Sequence, residues 1–285
     1  MRKTIRDFQT MKEENQPIAM ITAYDAMTAQ VAQAADVTGI LVGDSLGTVV
    51  QGHDTPIPVK LEHIIYHASI VVRLTQTPLV VGDMPFMTYN VSPEQALTNA
   101  GRLVQESGVG AVKMEGGEHL APTIRRVVET GIPVMGHIGL TPQSVHKMGG
   151  MRVQGKDLDT ARQLLRDAEA VQDAGAFAIV LEGVPAPLGK MITEKLHIPT
   201  IGIGAGPHCS GQIQVFHDLF ALLDGHIPRH AKQYAPLGKM MREGLAEYVR
   251  DVQTGAFPTP ENSFTMKADV LSALQTNGAD GRAGS

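Results

Sequence analysis

The sequence predicts an α/β protein, a (β/α)8 TIM barrel in a single domain. Eight strand-like apolar runs alternate with helix-length stretches, the pattern of βα units around a parallel sheet. Five of those runs end in a polar or charged residue, which gathers reactive groups at the carboxyl ends of the strands, where such sheets bind ligands. No G-x-G-x-x-G follows the first run, which argues against a doubly wound, dinucleotide-binding sheet.

In chain order, residues 4–12 read as a short helix placed to plug the bottom of the barrel. Strands are expected at 18–23, 39–43, 78–82, 111–114, 132–136, 176–181, 198–203 and 212–216, because apolar runs of this length mark strands buried on both faces. Helices are expected at 61–74, 93–106, 120–130 and 160–174. In the first of these, Leu61, Ile64, Ile65 and Ala68 recur at helical intervals. Pro93 suits a first helical position, with Ser92 as its cap. Residues 236–252 have helical composition and extend the barrel at its C-terminal side. The domain runs over 1–264, and the largely polar stretch 265–285 reads as a flexible tail.

Composition narrows the function. The chain has 285 residues, 43% of them hydrophobic, and a formal net charge of −5, enough for a large core and without the basic stripe of a nucleic-acid binder. One cysteine, Cys209, excludes an intramolecular disulfide and fits a reducing cytoplasm. No long apolar stretch follows Met1-Arg2-Lys3, and nowhere do 18 uncharged apolar residues run together. Neither a signal peptide nor a membrane span is expected. The fourteen methionines are dispersed and read as core filler.

The residues at the strand ends carry the chemistry. Gly39–Gly43 runs into Asp44-Ser45, Leu79–Gly82 into Asp83, and Ala111–Met114 into Glu115. Three carboxylates in equivalent positions suit an oxygen-liganded Mg²⁺; taken singly, each is also a plausible helix cap. Lys113 and Glu115, two apart on a strand, face the same side. They form either a simple ion pair or a site where the lysine meets a substrate carboxylate or developing enolate. His137, after the fifth strand, either packs as a hydrogen-bonded core residue or donates to a substrate oxygen. Glu182 ends an otherwise apolar strand and is partly desolvated, a setting that tunes a carboxylate toward general-base work; the alternative is a glutamate opening a surface loop. Ser45 holds a substrate oxygen or caps the next helix. The Gly202-Ile203-Gly204-Ala205-Gly206 stretch serves either a pocket or a tight turn. Cys209 has no base nearby in sequence, and no H-E-x-x-H or dense histidine cluster suggests zinc.

At these residues the chain resembles the ketopantoate hydroxymethyltransferase family. The shared stretches are Thr22-Ala23-Tyr24-Asp25, Val42-Gly43-Asp44-Ser45-Leu46-Gly47, Gly82-Asp83-Met84-Pro85-Phe86 and Val112-Lys113-Met114-Glu115-Gly116-Gly117. Then come Gly136-His137-Ile138-Gly139-Leu140-Thr141-Pro142-Gln143-Ser144, Leu181-Glu182-Gly183-Val184-Pro185 and the glycine stretch from Gly202. Their order is kept over roughly residues 3–265, and the ordered set is far more specific than any one motif. The resemblance implies Mg²⁺ at Asp44 and Asp83 with Glu115 close by, and an α-keto acid chelating the metal. It implies substrate contacts from Asp44, Ser45, Asp83, Lys113 and His137, with Glu182 as catalytic base. The implied reaction moves a one-carbon unit from 5,10-methylenetetrahydrofolate to 3-methyl-2-oxobutanoate, in pantothenate synthesis. The implied assembly is a homodecamer of two pentamer rings.

Gly183 stands where many relatives carry cysteine, and Ser210 where aspartate is usual; both departures concern loops. The competing enzyme class is a lyase or mutase of the phosphoenolpyruvate mutase/isocitrate lyase-like barrels. Many of those lyases carry a Lys-Lys-Cys-Gly-His loop, which is absent here. A catalytically silent scaffold barrel is the other alternative. The intact set Asp44, Asp83, Lys113, Glu115, His137 and Glu182 argues against it.

Overall fold

The computed structural model describes residues 1–225 and 227–277. The strands are β1 (Ile18–Thr22), β2 (Gly39–Val42), β3 (Leu79–Asp83), β4 (Ala111–Glu115), β5 (Val134–Gly139), β6 (Ala178–Glu182), β7 (Thr200–Ile203) and β8 (Gly211–Gln214). All pair in parallel, in sequence order, and β8 returns to β1 to close the barrel. The helices are α1 (Ile5–Glu13), α2 (Ala26–Ala34), α3 (Leu46–Val49), α4 (Leu61–Leu74), α5 (Pro93–Ser107) and α6 (Ala121–Val128). They continue as α7 (Val145–Met148), α8 (Leu158–Asp173), α9 (Ala186–Lys195), α10 (Phe216–Leu219), α11 (Leu237–Thr254) and α12 (Ala268–Asn277).

Two apolar layers follow from strand alternation. Outward residues such as Ile40, Val80, Val112 and Ile179 pack against Ile64, Leu103, Ile124 and Leu164 of the surrounding helices. Inward residues, among them Met20, Leu41, Val81, Ala111, Met135, Val180 and Ile201, fill the barrel. Phe8 of α1 joins this inner cluster with no exposed surface and meets Phe177 edge to face at 5.8 Å. A Cβ on Gly39 would lie 3.0 Å from the Phe8 ring and from Met20, so either side chain would have to give way to it. The N-terminal helix is therefore the bottom plug that its sequence suggests, and it leaves the opposite mouth open for chemistry.

Local signals explain the helices nearby. Ser92 accepts the Gln95 amide at 3.2 Å, Pro93 opens α5, and Gly108 ends it in the left-handed region at φ 77°. After β8, α10 is only four residues long, and a groove of about 900 Å³ lies along the outer faces of β1 and β8. None of the strand-end acids lines it.

The chain divides into two compact units, Met1–Ala235 and Pro236–Ser285, where the sequence reading carries one domain through residue 264. The first contains the whole barrel; the second contains α11 and α12. Helix α12 occupies part of the stretch read as a tail from residue 265; residues 278–285 of that tail lie outside the described residues. No described helix is long and apolar enough to cross a membrane.

Candidate active site

Four successive strands build the site by simple continuation of their inward faces. Leu79 and Val81 lead to Asp83, Ala111 to Lys113 and Glu115, Met135 to His137, and Ala178 and Val180 to Glu182. The register sets Asp83 beside Lys113, Glu115 beside His137, and Glu182 beside Gly139. A polar layer thus sits directly on the apolar filling, at the carboxyl ends of the strands. His137 lies inside β5 and not after it, because pairing with β6 continues to Gly139. Asp44 and Ser45 follow β2 and complete the ring.

The Lys113 ammonium lies 2.7 Å from Asp83 Oδ1 and 3.2 Å from Glu115 Oε1. His137 Nδ1 donates to Glu115 Oε1 at 3.1 Å. Its Nε2 lies 3.2 Å from Glu182 Oε2 but off the N–H line, so this contact is electrostatic and the nitrogen has no hydrogen-bond partner among the described residues. Asp44, Asp83, Lys113, Glu115 and His137 are all buried, whereas the Glu182 side chain is 16% exposed. Ser45 is half-buried, and its hydroxyl pairs with that of Tyr24 at 2.7 Å.

Charge balance explains how this layer titrates. Burial, then the Asp83 and Glu115 charges, push the Asp44 carboxyl well above the ordinary carboxylate range. Burial also raises Asp83, although Lys113 opposes the shift. Burial alone would raise Glu115 too, but Lys113 and His137 outweigh it and hold that carboxyl down at about 2. For Lys113 burial favours the neutral amine, yet Asp83, Glu115 and Asp44 together raise its affinity for the proton. For His137 burial is likewise overcome, chiefly by Glu115, and its pKa rises to about 9.

Among the described residues, Asp44, Asp83 and Glu115 form a group of ligand atoms within 4.8 Å of one another. Asp44 receives only neutral donation, from Gln143 Nε2 at 2.8 Å. Three hard oxygen donors with one carboxylate short of a cation fit a divalent ion such as Mg²⁺.

Two supporting residues, Gln143 and Tyr89, lie outside the set that the sequence singles out, and Tyr89 packs its hydroxyl against the Glu115 backbone at 3.2 Å. Gln143, in the turn after β5, is buried and uses its whole amide. Its backbone N–H donates to Glu115 Oε2 at 3.1 Å and its Nε2 to Asp44 and to the Met84 carbonyl. Its Oε1 accepts the Tyr89 hydroxyl at 2.6 Å. Gln143 therefore ties the β2 and β4 acids together. Its only sequence signal is membership in the Gly-His-Ile-Gly-Leu-Thr-Pro-Gln-Ser stretch. Of the late glycines, Gly204 and Gly206 lie in the left-handed region at φ 68° and 85°, and Gly206 has no room for a Cβ against Ala186. Cys209 is free and half-buried.

The chain matches the profile of the ketopantoate hydroxymethyltransferase family over residues 2–260. It is 57% identical over 277 residues to a 3-methyl-2-oxobutanoate hydroxymethyltransferase of Chloroflexus aggregans, covering 97% of this chain and 99% of the relative. An enzyme of the same name from Dehalococcoides mccartyi is 52% identical over 275 residues, covering 96% and 99%. Among solved structures, an oxaloacetate acetylhydrolase aligns with a TM-score of 0.60 at 17% identity, covering 98% of each chain. A 2,3-dimethylmalate lyase of the PEP mutase/isocitrate lyase superfamily aligns at 0.56 and 16%, covering all of both chains. These two share the barrel fold, whereas the hydroxymethyltransferases share more than half of the sequence, which decides against the lyase alternative. The chain belongs to the ketopantoate hydroxymethyltransferase family.

Proposed function

We propose that the chain transfers a hydroxymethyl group from 5,10-methylenetetrahydrofolate to 3-methyl-2-oxobutanoate. With one water consumed, the products are 2-dehydropantoate and tetrahydrofolate. The observation that carries this reading is the buried Asp44–Asp83–Lys113–Glu115 layer with a partly exposed Glu182 at its edge. Asp44, Asp83 and Glu115 would hold Mg²⁺, which supplies a Lewis acid that favours loss of the proton next to the keto group.

Glu182 takes the C3 proton, the work its position at the rim and its approach to His137 permit. The enolate so formed carries charge on oxygen, and Lys113 stabilises that charge from a fixed position without reorganising. His137, kept cationic by Glu115, holds Glu182 in place through charge. Ser45 orients a substrate oxygen, with Tyr24 fixing its hydroxyl. The C3 carbon then attacks the one-carbon unit of the folate. A cytoplasmic homodecamer of two pentamer rings belongs to the same reading. The exposed stripe Met241, Leu245, Tyr248 and Val252 on α11, at helical spacing, supports an assembly that covers it.

The test is hydrogen–deuterium exchange at C3 of 3-methyl-2-oxobutanoate, followed by NMR with Mg²⁺ and no folate. The protein should exchange that proton and Glu182→Gln should lose the exchange by about 10²–10⁴-fold while still binding the keto acid. Exchange at the wild-type rate in the variant would reassign the base.

A further inference from the structure

We propose that a cleft between the segments following β2 and β8 seats the pterin ring of the folate co-substrate. In it, Asp218 accepts two hydrogen bonds from the ring's 2-amino-4-oxopyrimidine edge. This rests on the folate-dependent reading above and names the place where that reading leaves the co-substrate unassigned.

The cleft has a volume of about 270 Å³, with Ser45, Thr48, Val49, Val215, His217 and Asp218 among its walls. Ser45 also adjoins the acidic layer through Asp44, and the Tyr24 ring behind it faces the His217 ring at 5.7 Å. A ring held here places its one-carbon unit beside Ser45, next to the keto acid. Drug-sized pockets span about 300–1,000 Å³, so the cleft takes one flat bicyclic ring and leaves the benzoylglutamate portion outside.

Its chemistry selects the ring. Thr48 spends its hydroxyl on the Ser45 carbonyl at 2.9 Å, and Val49 and Val215 are apolar. The acidic and imidazole side chains left on the walls are His217, Asp218 and Asp224. Asp218 is half-buried with no side-chain hydrogen bond or close ion pair among the described residues, and burial raises its affinity for a proton. His217 Nδ1 is buried with no hydrogen-bond partner among the described residues, so that nitrogen is closed off from the cleft, and burial lowers the ring's affinity for a proton. An anion such as the keto acid is repelled by Asp218. A neutral pterin presents adjacent N–H and NH₂ donors on one edge, which match a carboxylate as a bidentate, charge-assisted pair.

The experiment is calorimetric titration of tetrahydrofolate and of 6-methyltetrahydropterin into wild type, Asp218→Asn and Asp218→Ala. Both variants should bind both compounds about 10–100-fold more weakly. They should also raise KM for 5,10-methylenetetrahydrofolate while keto acid affinity in Mg²⁺ stays within twofold, which reports an intact fold. Should the alanine variant not fold, the isosteric asparagine decides. Tetrahydrofolate binding within twofold of wild type in Asp218→Asn would overturn the subsite alone. No tetrahydrofolate binding and no product with wild type would overturn the folate-dependent reading and the subsite with it.

Discussion

Replacing Lys113 with methionine removes the central cation of the polar layer while keeping most of its volume. At an effective dielectric of about 20, a unit pair at 2.7 Å attracts by roughly 6 kcal/mol and one at 3.2 Å by roughly 5 kcal/mol. Burial of the lysine offsets much of this, and losing one partner of a buried ion pair generally costs about 3–5 kcal/mol. In EDTA at pH 7, Lys113→Met should therefore lower the thermal midpoint by on the order of 10 °C. The loss should shrink toward pH 5. Without the ammonium the Asp83 carboxyl rises further, so its unfavourable charge is present above that folded pKa and relieved as pH falls through it. Mg²⁺ should raise the midpoint of the variant more than that of wild type, because the ion supplies the missing charge and stabilises by mass action. Thermal unfolding followed by circular dichroism, at both pH values and with or without Mg²⁺, measures all three. A variant as stable as wild type in EDTA would refute the view that Lys113 holds these acids together.

Other changes probe neighbouring parts of the account. Gln143→Leu removes the shorter of the Tyr89 hydroxyl's acceptors and a donor from Asp44; Mg²⁺ affinity by calorimetry should fall about 10–100-fold, and an unchanged Kd would make Gln143 mere packing. Gly139→Ala puts a Cβ 2.3 Å from the Glu182 carbonyl at a backbone φ of 94°, so stability should fall by about 1–3 kcal/mol and C3 exchange with it. Metal-free wild type should lose stability as pH rises from about 6.5 through 9. The raised His137 pKa of about 9 contributes fully below the unfolded value and is lost as the ring deprotonates. His137→Gln should flatten that part of the pH profile in chemical denaturation. Phe8→Ala should cost about 3–5 kcal/mol by opening the bottom of the inner core, without changing keto acid affinity.

The legible part of this protein is the part that local pattern encodes. Apolar runs alternating with helix-length stretches reveal all eight strands, and the polar residues closing them point to the layer in which Asp44, Asp83, Lys113, Glu115 and Glu182 meet, although capping or an ion pair would account for each of them singly. The start of α5 is legible because Ser92 and Pro93 act within one turn. Gln143 is different: it bonds Asp44 across 99 positions, and only closure of the barrel brings them together. Helix α9 hides behind Pro185, Pro187 and Gly189, which look like breakers although prolines at a helix start are well tolerated. His137 is read as following the fifth strand because nothing local shows that β5 continues through it to Gly139. The Asp218 cleft, built from segments after the second and eighth strands, has no local signature at all.

The most direct test of the central claim is NMR of the purified protein with 3-methyl-2-oxobutanoate, 5,10-methylenetetrahydrofolate and Mg²⁺, with and without EDTA. The account predicts 2-dehydropantoate when Mg²⁺ is available and none when it is chelated. A folded protein that forms no product with metal present, or forms it equally in EDTA, would contradict it.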